Sequence, residues 1–259
     1  MNNPAFNRNP VFQDDPTPEQ LHELFNRPSA GGVMTVEDTV AKTALNFAVL
    51  VLTAIVGWTL VANNPAVGMT VVIIAGIAGF ALAMVNIFKR EPSAPLVLAY
   101  SAAQGITVGA ISMVYEAAFS GIVLQAVLAT FAVFGVTLAL FASGKVRASA
   151  RATKVFMIAM VGYLVYAVLN MFLSMFGVVQ SPFGLDSQLV FGIPLGVILG
   201  VLVTIMAAYS LVLDFDAIQQ GVRNGAPKQF GWSGAFGIMV TMIWLYMNIL
   251  RTIALARNN

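Results

Sequence analysis

Between about Thr43 and Ala256 the sequence carries seven apolar stretches of roughly twenty residues each, almost free of charge. A helix rises about 1.5 Å per residue, so such a stretch matches the ~30 Å hydrocarbon layer of a bilayer. A soluble core of this size could not hide seven of them. The expected spans are Thr43–Ala62, Ala66–Phe88, Pro95–Ala118, Gly121–Ala142, Val155–Gly177, Leu189–Leu213 and Ala235–Ala256. The fold class that follows is all-α, a polytopic membrane protein built as a bundle of seven transmembrane helices, whose first partner is the lipid bilayer.

Composition excludes several other classes. Apolar residues make up 59% of the chain and charged residues 9%, against about 25% charged in soluble domains. A net charge of +2 with no dense Lys/Arg run argues against nucleic acid as a partner. Without cysteine there is no disulfide, thiolate metal site or cysteine nucleophile. The first forty or so residues hold no apolar signal region, so the first span is expected to stay as an uncleaved anchor.

Residues 1–40 are polar and proline-bearing and are expected to form a disordered tail, because they bury too little apolar surface to offset ordering. Within that tail Pro18–Phe25 has the spacing of a short amphipathic helix. Thr35 followed by Asp38 is a capping signal for the first span. Residues 41–259 form the membrane domain. Very short connections at Asn63-Asn64-Pro65 and Phe119-Ser120 predict two hairpins of adjacent antiparallel helices. Gly105 with Gly109, and Gly192, Gly196 and Gly200, have the four-residue spacing that brings helices close in lipid. Pro194 is expected to bend the sixth span.

Positive charge is lopsided. Counting alternate connections, one side holds Arg8, Arg27, Lys42, Lys89, Arg90, Lys145, Arg147, Arg151, Lys154, Arg223 and Lys228, while 63–65, 118–120 and 178–188 hold none. Basic residues favour the cytoplasmic side, so a cytoplasmic N-terminus and an outside C-terminus are expected. Arg251 and Arg257 oppose the trend.

Ionisable residues at lipid depth are expensive and point to function by default. The inventory is short: Asp214 and Asp216 at the exit of the sixth span, Glu116 near the outer end of the third, and Arg251 in the seventh. Asp214 and Asp216 lie about 200° apart around a helix, so one turns inward and the other towards headgroups or water. An EF-hand is excluded, since Gln219 and Gly225 stand where its glycine and last glutamate belong. Asn248 in mid-span needs a hydrogen-bond partner, because an unmet amide in hydrocarbon costs several kcal/mol. The plainer roles are interfacial ends for Asp214, Asp216 and Glu116, and snorkelling to the outer surface for Arg251. Gln104 and Gln125 are expected to bridge helices.

Membrane-enzyme chemistries fail on inventory. The single histidine, His22, lies in the tail, so a Ser–His protease or a His-ligated zinc hydrolase lacks its base or ligand. An aspartyl intramembrane protease needs carboxylates on two helices, and the seventh offers none. No span buries a lysine for retinal, and there is no phosphate-cradling Gly loop. The chain is expected to be no enzyme and to carry no cofactor.

The stretch Leu211-Val212-Leu213-Asp214-Phe215-Asp216, the exit running from Asp216 to Pro227, and Leu245-Tyr246-Met247-Asn248-Ile249-Leu250-Arg251 together resemble the Bax inhibitor family of membrane proteins. The likeness is to a bacterial branch with a long polar N-terminal tail and covers about Val36 to Arg257. It implies seven helices with the seventh central, a pH-sensitive calcium leak and, in animals, protection against cell death. It also implies that an aspartate ending helix six bonds an acidic residue in helix seven and that a basic residue latches the pair. Asp216 takes the first place by motif and Asn248 the second, and Lys89 or Arg90 are candidates for the latch. Two nearby carboxylates share a proton because both cannot ionise cheaply. With Asn248 the amide donates instead, and pH gating is expected to weaken or shift to lower pH.

The leading expectation is therefore a cation leak channel, Ca²⁺ the transported ion, closed near Asp216, which with neutral oxygens would form a weak, releasing Ca²⁺ site. Its rival is a non-transporting regulator in a bacterial plasma membrane that binds another membrane protein, such as a protease, through its surface and tail. A proton-coupled transporter ranks third, because seven spans do not halve into inverted repeats.

Overall fold

The computed structural model describes residues 32–179, 181 and 183–258. Arg8, His22, Arg27 and the short helix expected at Pro18–Phe25 lie outside the described residues. Among the described residues seven long helices carry the fold: α1 Val36–Asn63, α2 Pro65–Phe88, α3 Ala94–Ala118, α4 Ile122–Ala142, α5 Ala150–Met175, α6 Leu195–Arg223 and α7 Gly231–Arg257. All seven are long and apolar enough to cross a membrane. The chain is an all-α, polytopic integral membrane protein.

Local chemistry sets the helix ends. Thr35 caps α1 by accepting from the Asp38 N–H at 3.1 Å, and Glu37 and Asp38 occupy the positive end of its dipole. Asn64 closes α1 and opens α2, accepting from the Val67 N–H while Pro65 takes the first helical position. The hairpin expected at 63–65 is therefore as tight as its sequence implied. Ser149 caps α5, which begins at Ala150 and not at Val155. Arg151 lies in the first turn of that helix and Lys154 in its second.

Three expectations need correction. Residues 33–40, assigned to the tail, are folded: Val33 bridges Pro227, Met34 is 1% exposed, and α1 starts at Val36. The sixth span does not stop at Asp214 or Asp216; α6 runs on to Arg223, 29 residues and about 43 Å in all. Its stop is Gly225, whose φ of +63° is the left-handed conformation that favours glycine at a helix end. Finally, residues 189–194 are not helical. They form a two-stranded hairpin, β1 Leu189–Val190 and β2 Ile193–Pro194, ahead of α6. Phe191 and Gly192 close it with φ of +54° and +79°, the pattern of a type I′ turn. Gly192 is thus a turn residue, and Pro194 precedes the helix instead of bending it.

The chain divides into two compact units. The first holds the described residues up to Val114 together with Leu211–Ile243; the second holds Tyr115–Ser210 and the residues from Trp244 on. In the first, Val97, Tyr100 and Phe236 form a buried core, with Tyr100 and Phe236 edge to face at 4.9 Å. α1 and α3 meet at glycines: a Cβ on Gly105 or Gly109 would strike the Leu50 or Ala54 carbonyl. Ser101 donates to Asn46 at 2.9 Å within that contact. In the second unit, Gly200 lies against Thr252 and Gly196 against Asp186 and Leu255. Tyr209 bonds Thr153 at 2.9 Å and packs on Phe156. α7 is the best-shielded helix: half of its most apolar window is buried, against 6% for α5.

Candidate functional site

The two carboxylates of α6 separate as the helix geometry demands. Asp214 is fully buried, between the buried Leu213 and Phe215, and accepts a hydrogen bond from Thr241 Oγ1 of α7 at 2.6 Å. Thr241 is itself 3% exposed. Asp216, on another face, is half-buried and accepts from Gln220 Nε2 one turn on, at 3.4 Å. The inward carboxylate is therefore Asp214. A buried carboxylate costs several kcal/mol in desolvation unless its oxygens are hydrogen-bonded, and the Thr241 hydroxyl meets part of that need.

Asn248 is engaged elsewhere. Its amide donates to the Gly200 carbonyl at 2.9 Å and to Thr204 Oγ1 at 3.0 Å. Both amide hydrogens are used, and Thr204 precedes Asp216 by twelve residues of one helix, about 18 Å. The expected donation from Asn248 to Asp216 is not made. Gly200 makes the contact close, since a Cβ there would meet the Thr252 side chain, whose hydroxyl in turn donates to the Asn248 carbonyl at 2.7 Å.

At the start of α1, a strap crosses the connection between α6 and α7. Met34 N–H donates to the Ala226 carbonyl at 2.7 Å, and Lys228 N–H to the Gly32 carbonyl at 3.0 Å. Asp38 pairs with Lys42 at 2.5 Å and with Lys228 at 3.5 Å, and Lys42 also donates to the Lys228 carbonyl. Lys42 further lies 5.6 Å from the Trp232 ring, a cation–π distance. The basic residues that these contacts bring together are Lys42 and Lys228. Lys89, which caps α2, and Arg90 after it are exposed.

The second unit holds a carboxylate that composition alone did not single out. Asp186, 4% exposed, sits in a single 3-10 turn, Gly184–Ser187. One of its oxygens pairs with the Arg251 guanidinium and the other accepts from the Tyr166 hydroxyl. Asn170 of α5 fixes the turn by accepting from the Leu185 N–H at 2.7 Å. Gly184 lies so close to Asn170 that a side chain there would collide, and its φ is +64°. Arg251 is therefore ion-paired where snorkelling was expected. The available signal was complementarity: Asp186 is the one acid of its connection, and Arg251 the basic residue inside the last span.

Glu116 proves to be a cap. Its carboxylate accepts from the Gly121 N–H at 2.5 Å and the Val123 N–H at 3.0 Å, satisfying the open donors at the start of α4. Gln104 packs over Gly79, and Gln125 is exposed. Among the described residues no group of three or more His, Cys, Asp or Glu side chains converges as a metal cage.

Compared with known proteins, residues 3–258 match a family model described as Bax inhibitor 1 like. No curated protein gives a significant match.

Proposed function

The chain belongs to the Bax inhibitor 1 like family, and from that premise we propose that it is a cation leak, with Ca²⁺ as its ion, controlled at the Asp214–Thr241 contact. One observation carries the reading: a fully buried carboxylate in mid-helix, bonded across to the neighbouring α7 through a hydroxyl. Carboxylate and hydroxyl oxygens suit a hard cation, and a site with a single acid binds loosely enough to release it. A hydroxyl can also rotate away from its acceptor without breaking a helix. In this reading Asp216, half-buried one face away, attracts the cation from the end of the helix. The protein works without a cofactor and catalyses no reaction, in a bacterial plasma membrane with its N-terminus in the cytoplasm.

The test is Ca²⁺ entry into dye-loaded liposomes containing the purified full chain, measured across a pH series. Asp214→Asn is expected to change the flux and to flatten its pH dependence, because the amide cannot take up a proton in this range. Asp216→Asn is expected to lower the flux and keep the pH profile. Equal flux and equal profiles in the parent and both variants would remove the control point. A second reading, a regulator that grips another membrane protein through its tail, is favoured by the strap of residues 32–38 on the α6–α7 connection. Deleting residues 1–31 separates the two, since a leak keeps its flux and a regulator loses its partner.

A further inference from the structure

We propose that the hairpin of β1 and β2 is a membrane-surface anchor that seats Phe191 in the interfacial layer of the bilayer the chain itself spans. Its tip is as apolar as a helix span yet faces outward. Phe191 is 99% exposed, and Leu189 and Ile193 are about half exposed beside it. No charged residue occurs from Ser187 to Leu213. A water-facing type I′ turn prefers Asn-Gly, because Asn tolerates a positive φ and a bulky apolar residue does not. Here the first turn position is Phe at +54°. A strained residue of that kind persists where its exposure is put to use.

The position of the hairpin selects the occupant. From Leu195 to Leu213, α6 has nineteen uncharged, mostly apolar residues, which rise about 28 Å and already fill the hydrocarbon thickness. Pro194 adjoins Leu195, so the hairpin stands at the rim of the span and cannot reach far into water. Its backbone is suited to that depth. Val190 pairs with Ile193, Leu189 with Pro194, and the Leu195 N–H donates to the Gln188 carbonyl at 2.8 Å. Few backbone groups are left for the lipid to oppose. Phe and Leu side chains that project from a surface element bury themselves in this headgroup–acyl boundary. The same connection carries Asp186, so an anchored hairpin also steadies the turn that supplies the counter-ion of Arg251.

The absence of cysteine makes the test direct. Phe191→Cys and Ile193→Cys each give one labelling site in the full chain, and exposed Lys145→Cys serves as a control. Each variant carries an environment-sensitive nitrobenzoxadiazole label in phosphatidylcholine vesicles, with iodide on both faces or with nitroxide on the upper acyl chain. The proposal expects blue-shifted emission at 191 and 193, strong quenching by nitroxide lipid, and iodide quenching several-fold below that at 145. Iodide quenching at both positions equal to that at 145 would place the hairpin in water and overturn it. Protection from iodide without nitroxide quenching would mean a protein surface, another copy included, and would equally overturn it. If only the Phe191→Cys label is exposed while the Ile193→Cys label meets lipid, the ring itself is what holds the hairpin in place, as proposed.

Discussion

Among the described residues each unit buries one carboxylate, and the two are held in different ways. Asp214 rides on a continuous helix and takes a hydroxyl hydrogen from Thr241, a neutral residue of the neighbouring helix. Asp186 rides on a short turn and takes a guanidinium and a phenol, with Asn170 bracing the turn from beneath. The Asp186 contact joins opposite charges, and its two partners fix both oxygens in direction. The turn has only a few backbone bonds of its own, so its side-chain bonds carry more of the load. The Asp214 segment lies within the hydrogen-bonded ladder of α6, so its backbone depends less on side-chain contacts. On the function proposed above, the Asp186 contact is the fixed one and the Asp214 contact the adjustable one.

That contrast breaks most readily at the fixed end. Asp186→Ala leaves a guanidinium and a phenol facing a vacancy. Losing one partner of a buried pair costs about 3–5 kcal/mol, here towards the lower bound because the Arg251 side chain is 37% exposed. Thermal unfolding in detergent should show the loss, and Arg251→Ala should show a similar one. The double variant should lose less than the sum of the singles, since each removes the other's reason to be charged. Fully additive losses would mean that the pair does not hold the turn.

The adjustable end should give a smaller cost and a larger functional effect. Thr241→Val keeps the shape and removes the donor, which for a buried acceptor costs about 1–3 kcal/mol. The same variant should shift Ca²⁺ flux in liposomes, whereas Tyr166→Phe, the matching loss at Asp186, should leave flux unchanged. If Tyr166→Phe altered flux as much as Thr241→Val, the division of labour between the two carboxylates would fail.

Much of this was open to inspection in the sequence, and what was hidden was non-local. All seven spans could be placed because length and apolarity accumulate along the chain. The two short hairpins followed from Asn64 and Pro65, and from Phe119 and Ser120. Boundaries failed where a fold contact overrode composition: Val36–Lys42 is polar but helical because Thr35 caps it and the strap holds it. Leu189–Pro194 is apolar but not helical, and apolarity alone cannot tell a strand from a helix of that length. At the site, the geometry of one helix required that Asp214 and Asp216 face apart. Which of them turns inward depends on the register of α7 against α6, and that register sets Thr241 against Asp214 and Asn248 against Gly200. The Asp186–Arg251 pair spans 65 residues of sequence, and no local pattern announces it.

The smallest effect tests whether the first unit has a fixed contact of its own. Asp38 is 22% and Lys228 52% exposed in their side chains, so their ion pair sits in screened surroundings and is worth about 0.2–1 kcal/mol. Lys228→Gln should lower the unfolding midpoint by little, and the difference should vanish in high salt. The strap should stay in place, because the Met34 N–H to Ala226 bond and the buried Met34 side chain do not depend on that charge. Hydrogen exchange at the Met34 amide measures this directly: protection should be nearly the same in parent and variant. If Lys228→Gln instead released the Met34 amide to fast exchange, the charges would be what closes the strap. The α6–α7 connection would then be a second fixed contact, next to the one carboxylate assigned here to switching.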